Sequence, residues 1–184
     1  MKVRASYTQS SVRMTERLPP EDARRVVAAV RDETWSAIRS ASSLAFLDMR
    51  MHLEVDAALY EVLGRERYAK ACARLTLELM QKPLFAPVTR GRLLRGHPER
   101  LLRRLPMTWA LIFRDVGQIE VDDLDGGLRL SMRDLPVLVR HDEAFLVGVM
   151  GTLEGVGEAC GVHIDVAVDE TQRGLGAITL RLRW

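Results

Sequence analysis

Asp48, His52 and Asp56 stand four residues apart, so on a helix two carboxylates and an imidazole fall in one row. Such a row could bind a cation or hold a titrating histidine. It lacks a third firm ligand, and the same spacing suits a ladder of charges on a solvated helix face. A second candidate is the run Arg90, Arg92, Arg95, Arg100, Arg103 and Arg104, whose guanidinium groups could hold phosphates or carboxylates. With little aromatic interleaving and no DNA-binding signature, the run reads first as a solvated face with snorkelling stems. The third candidate is a glycine series, Gly148, Gly151, Gly155 and Gly157. Each costs about 1 kcal/mol against alanine in a helix interior. The first three share a face, which leaves a groove for another backbone or a flat ligand to approach. Packing on the chain's own sheet is the plain expectation; a ligand wall or a dimer contact is the alternative. His97 beside Pro98 suits a helix start, and His141 and His163 have no acid or thiol at a telling distance.

No template for catalysis is present. The chain lacks a Gly-x-Ser-x-Gly elbow, a Gly-x-x-x-x-Gly-Lys loop, a His-Glu-x-x-His helix and a Cys-x-x-Cys pair. Gly151-Thr152-Leu153-Glu154-Gly155-Val156-Gly157 is glycine-rich but falls late in a helix, where it cannot cradle phosphate. No catalytic residue, metal or cofactor is assigned. The 184 residues are enough for a substantial core, and 47% apolar with 28% charged content is that of a globular chain. A net charge of +2 does not call for nucleic acid. Cys72 and Cys160 read as buried thiols. No run approaches the eighteen or so apolar residues of a membrane span, and the polar start carries no signal core, so a cytoplasmic location is expected.

The elements that must position these residues fall into two halves. Residues 1–17 are polar and read as a tail or an edge strand. From Pro20, the residues Ala23, Val26, Val27, Val30, Thr34 and Ile38 keep helical spacing. Leu44, Leu47, Met51, Val55, Leu59 and Val62 make a second helix that Gly64 ends, and Tyr68, Cys72, Leu75 and Leu79 make a third. Pro98 can open a further helix through Leu101, Leu102 and Leu105, which Pro106 ends or kinks; periodicity does not settle the class of residues 107–113.

The period then changes to two. Ile119 and Val121, then Leu128, Leu130 and Met132, alternate with polar residues around Asp125-Gly126. With those two as the turn, Asp122 falls opposite Arg129 and Val121 opposite Leu130, and a one-residue slip would undo both matches. A helix from about Asp142 to Cys160 follows, then strands through Val162, Ile164, Val166 and Val168 and through Ile178, Leu180 and Leu182. The expected class is α+β: an N-terminal helical half followed by a β-β-α-β-β unit forming an antiparallel sheet, with residues 18–184 as a single domain.

Several landmarks carry a family resemblance: Trp35, Gly64-Arg65-Glu66-Arg67, Pro98-Glu99-Arg100-Leu101-Leu102, Trp109 with Phe113, Leu128-Arg129-Leu130, and Gly148-x-x-Gly151-x-Leu153-Glu154. In their order from about Leu18 onward the chain resembles a bacterial, myxobacterial paralogous family of about this length. Its layout is similar to the wider group of vinyl-reductase-type ligand domains, haem–nitric-oxide-binding domains and small vesicle-tethering subunits. That resemblance implies an apolar small-molecule or lipid-like ligand between helices and sheet, read out by a partner. The haem proteins' Tyr-x-Ser-x-Arg motif is missing here, so neither His52 nor His97 is assigned to haem. The clustered cysteines of the vinyl-reductase type reduce to Cys160. The function expected is a non-enzymatic sensory or adaptor domain with Trp35, Phe85, Trp109, Phe113, Gly148, Gly151 and Gly155 at the ligand site. The alternative is a protein–protein module, a homodimer or complex subunit, without a small ligand.

Overall fold

Apolar residues recurring every three or four positions give way to strict alternation near Gln118, and the architecture changes at the same point. The computed structural model describes residues 1–80, 96–169 and 177–184. Its first half runs β1 (Lys2–Arg4), α1 (Ala5–Glu16), α2 (Pro20–Ala29), α3 (Asp32–Ser40), β2 (Phe46–Asp48), α4 (Met49–Met80), α5 (Pro98–Leu102), α6 (Leu105–Ile112) and β3 (Phe113–Arg114). The second runs β4 (Gln118–Leu124), β5 (Gly127–Arg133), α7 (Val137–Arg140), α8 (Glu143–Cys160), β6 (Asp165–Val168) and β7 (Ile178–Arg183). The class is α+β. Strands β4 to β7 form one antiparallel sheet in the order β4-β5-β7-β6, and β2-β1-β3 form a smaller one.

The hairpin register is the one that charge and apolar matching predict. Asp122 faces Arg129 and Val121 faces Leu130, with the Asp122–Arg129 ion pair at 3.2 Å. Leu128, Leu130, Met132, Leu180 and Leu182 point inward and are buried, while Arg129, Arg133 and Arg181 are exposed. Helix α8 shares the core with that inner face through Leu153, Val156 and Cys160. It starts where Asp142 accepts a hydrogen bond from the Phe145 amide at 2.7 Å and ends at Gly161 in the left-handed conformation. A second core joins Val12, Val26, Trp35, Ile38, Val55 and Leu59 among the helices of the first half. Val147 of α8 belongs to that core, so α8, like α4, contributes to both.

Gly64 has φ 73° and ψ 165°, and it divides α4 into two helical arms. Side chains are almost never found in that conformation, so glycine alone turns the chain there cheaply. The helix end expected at Gly64 is therefore real, though the second arm follows at once.

Four expectations are corrected. Residues 1–17 are neither a tail nor an edge: β1 is the middle strand of its sheet, and α1 buries Val12 and Met14. The hydroxyls misled because they serve the helix itself. Ser10 and Thr15 donate to the Ser6 and Ser11 carbonyls, each at 3.0 Å, so polar residues sit inside at little cost. The spacing from Ala23 to Ile38 spans two helices, because Val30 is extended (φ −111°, ψ 136°). There the Arg31 amide donates to Glu54 of α4 at 2.9 Å instead of continuing the helix. Leu44 lies in a turn and Leu47 in strand β2 (Phe46–Asp48), with α4 beginning only at Met49. Pro106 does not end a helix but lies in the first turn of α6, where its missing N–H costs nothing.

Candidate functional site

The expected helical row does not form as a whole: Asp48 ends β2, and only His52 and Asp56 stand one turn apart on α4. Asp48 is exposed and accepts from the Arg50 amide at 2.8 Å. His52 and Asp56 turn inward and are buried. The reason is α1, whose hydroxyls supply what water would otherwise give. Ser11 Oγ donates to Asp56 Oδ1 at 3.1 Å, Tyr68 donates to the same carboxylate, and His52 Nε2 lies 3.3 Å from Oδ2. A buried carboxylate with three partners is affordable where a bare one is not.

Tyr7 packs edge-on to His52 with ring centroids 5.1 Å apart, and its hydroxyl is hydrogen-bonded to Thr152 of α8. Burial, aided by the negative charge of Asp56, pushes the phenols of Tyr7 and Tyr68 and the thiol of Cys72 upward. All three stay protonated at neutral pH, so Cys72 is no nucleophile. Cys72 and Cys160 are both free and buried, as expected. The cluster encloses a space of about 20 Å³. His52 Nδ1 is buried there without a hydrogen-bond partner among the described residues.

A larger, apolar cavity of about 70 Å³ adjoins it. The second arm of α4 contributes Thr76, Leu79 and Met80, α5 and α6 contribute Leu101, Leu105, Thr108 and Ile112, and α8 contributes Thr152 and Val156. Tyr7, Thr76, Leu79 and Thr152 wall both spaces. Sequence reasoning did not single these residues out. The available signal was weak: Thr76 and Thr152 interrupt otherwise apolar helix stripes, and Tyr7 and Ser11 stand one helical turn apart.

Among the described residues, Trp35 is placed apart from Trp109 and Phe113. Trp35 lies in the first-half core, its Nε1 donating to the Val27 carbonyl at 3.2 Å. Trp109 and Phe113 pair at 4.3 Å and meet Phe145 at 6.1 and 6.2 Å, filling the other core rather than lining the cavity. Phe85 lies outside the described residues, as do Arg90, Arg92 and Arg95. Arg103 is ion-paired with Asp123. His97 precedes the first residue of α5 without capping it, its ring lying 3.1 Å from Glu99.

The glycine face meets neither the sheet nor solvent but the second arm of α4. A Cβ on Gly151 would lie 2.3 Å from the Ala69 carbonyl oxygen, and one on Gly155 would lie 2.5 Å from that of Ala73. Gly148 faces Tyr68 and Cys72. Close backbone approach, the requirement read from the sequence, is met by a helix. Phe145 and Val156 are buried in the core, and Val149 packs against it partly buried. Among the described residues no group of acids, histidines and cysteines could hold a metal ion. No helix there is long and apolar enough to cross a membrane.

With this geometry in hand, solved structures provide a comparison. An unliganded Fe(II) H-NOX protein mutant from K. algicida superposes with a TM-score of 0.66 at 6% identity, over 98% of this chain and 95% of that one. A T. tengcongensis H-NOX mutant gives 0.65 at 13% identity, over 98% and 96%. An oxygen-binding H-NOX domain related to soluble guanylate cyclases, as its oxygen complex, gives 0.64 at 14%, over 97% and 92%. The fold is H-NOX-like. No protein-family model matches the sequence, and no curated protein does either.

The described residues do not fit haem. The ring of His52 is turned onto Asp56 and is 2% exposed, and that of His97 is 53% exposed against Glu99. The apolar cavity of about 70 Å³ is far below the ~300 Å³ at which ordinary ligand pockets begin.

Proposed function

We propose that this chain is a non-enzymatic sensory or adaptor domain that takes a small apolar or lipid-like molecule between α4, α6 and α8 and signals through a partner. The observation that carries this reading is the apolar cavity bounded by Leu79, Leu105, Ile112 and Val156. At about 70 Å³ it has room for a few heavy atoms, and a longer apolar tail would leave through its open side. The H-NOX-like fold supports the sensory part, since the relatives named above include an oxygen-binding domain. Signalling would follow from packing. The glycine face leaves no slack between α8 and α4, so a ligand pressing on Val156 or Leu79 moves a whole helix rather than one side chain. The narrower kinship with the myxobacterial paralogous family rests on the sequence landmarks.

The test is titration of the protein with toluene, followed by amide and methyl NMR. Saturable shifts at Leu79, Leu105 and Val156, abolished when Val156→Phe fills the cavity, are expected. Shifts that never saturate, or that survive Val156→Phe, would overturn the reading.

A second reading, the protein–protein module, is favoured by one observation. Val137 and Leu138 on α7 are 66% and 44% exposed, and adjacent exposed apolar residues are a common mark of a contact surface. Light scattering decides it for self-association: a strict monomer at high concentration excludes the homodimer.

A further inference from the structure

The proposed ligand site has a polar end that its apolar walls do not explain. The 70 Å³ cavity and the 20 Å³ space beside His52 share four lining residues, Tyr7, Thr76, Leu79 and Thr152. The hydroxyls of Tyr7, Thr152 and Thr76 are already committed: Tyr7 is bonded to Thr152, and Thr76 donates to the Cys72 carbonyl at 2.9 Å. His52 is different. Its Nε2 is engaged by Asp56, while Nδ1, on a side chain 2% exposed, has no hydrogen-bond partner among the described residues. An orphaned buried nitrogen in an otherwise satisfied cluster costs roughly 1–3 kcal/mol and signals a missing group.

We propose that His52 Nδ1 is the hydrogen-bond acceptor for the ligand, and that the ligand is a small alcohol or phenol. This deepens the ligand-binding reading above and rests on it. A ring carrying one proton holds it on Nε2, toward Asp56, and leaves Nδ1 as an acceptor, so the matching ligand group is a donor. A carboxylate is disfavoured because Asp56 sits across the same ring. An ammonium would face the full penalty of burying a charge with no second carboxylate to meet it. A neutral hydroxyl on an apolar body satisfies both spaces at once.

The experiment compares phenol with toluene on the full chain and on His52→Gln, which keeps an amide donor toward Asp56 and removes the ring nitrogen. Phenol is expected to bind wild type and to weaken roughly tenfold in His52→Gln, with toluene changed by less than about twofold. In wild type, phenol and not toluene should move the ¹⁵N resonance of His52 Nδ1, a readout that needs no variant. If toluene binds but phenol leaves that resonance unmoved, this inference falls and the apolar reading survives. If an ordered water keeps its place on Nδ1 in a phenol-bound crystal, the inference also falls. If neither probe binds, the ligand-binding reading itself is wrong.

Discussion

Alanine at Gly151 is the substitution on which the architecture commits itself most sharply. In an ordinary helix interior, glycine to alanine stabilises by about 1 kcal/mol. Here the new Cβ would sit 2.3 Å from the Ala69 oxygen, 2.9 Å from its carbonyl carbon and 3.0 Å from its Cα. Ordinary contact begins near 3.4 Å, so α8 and the second arm of α4 must part by about 1 Å. A gap of that size forfeits a quarter to a half of each dispersion well along the contact. Overpacking of this kind costs about 1–3 kcal/mol; with the clash at the upper part of that range, it outweighs the gain of about 1 kcal/mol and leaves Gly151→Ala destabilised by up to about 2 kcal/mol. Gly155→Ala, at 2.5 Å from the Ala73 oxygen, should behave alike. The double variant should cost less than the sum, since the first separation makes room for the second. Urea unfolding monitored by circular dichroism measures all three. The control is Ala69→Gly: every clashing atom is backbone, so removing the Ala69 methyl should not rescue Gly151→Ala. Stabilisation by Gly151→Ala, or rescue by Ala69→Gly, would refute the close-packed helix pair.

Gly64→Ala should cost about 2 kcal/mol through backbone strain alone, because nothing lies within 4 Å of the new methyl; thermal unfolding checks it. Asp56→Ala should cost about 3 kcal/mol, since it leaves His52, Ser11 and Tyr68 facing an empty polar site, and a loss under 1 kcal/mol in urea unfolding would contradict the buried network. Glu54 is held down to about 2 from its ordinary 4.5, chiefly by hydrogen bonds from Arg31. Because the folded value is depressed, its contribution is complete above about pH 4.5 and is lost as pH falls through about 2. Arg31 is 67% exposed, so screening trims the effect to about 1 kcal/mol; Glu54→Gln should lose that much at pH 7 and nothing below pH 2.

The hairpin register, the bounds of α8 and the turn at Gly64 were legible in the sequence because each is a local signal, while the break at Val30 and the start of α4 at Met49 were not. Asp125-Gly126 fixes the hairpin, Asp142 and Gly161 bound α8, and Gly64 has no side chain to resist its turn. What could not be read depends on neighbours. Ser10 and Thr15 look solvent-loving until their hydroxyls are seen folded onto the preceding turn of α1. Asp56 looks like a surface acid until Ser11, 45 positions earlier, is placed beside it. Large aromatics were the natural candidates for a ligand wall, yet Trp109 and Phe113 are absorbed by the core. The cavity is instead a gap among threonines and leucines from four helices, and no spacing within any one of them announces it.

The central claim is that the apolar cavity beside α8 receives a ligand, and a crystal pressurised with xenon tests it most directly, because dry apolar cavities take up that gas. The account predicts a xenon atom among Leu79, Leu105 and Val156, lost in Val156→Phe. A cavity that stays without xenon while other parts of the molecule take it up would contradict the claim.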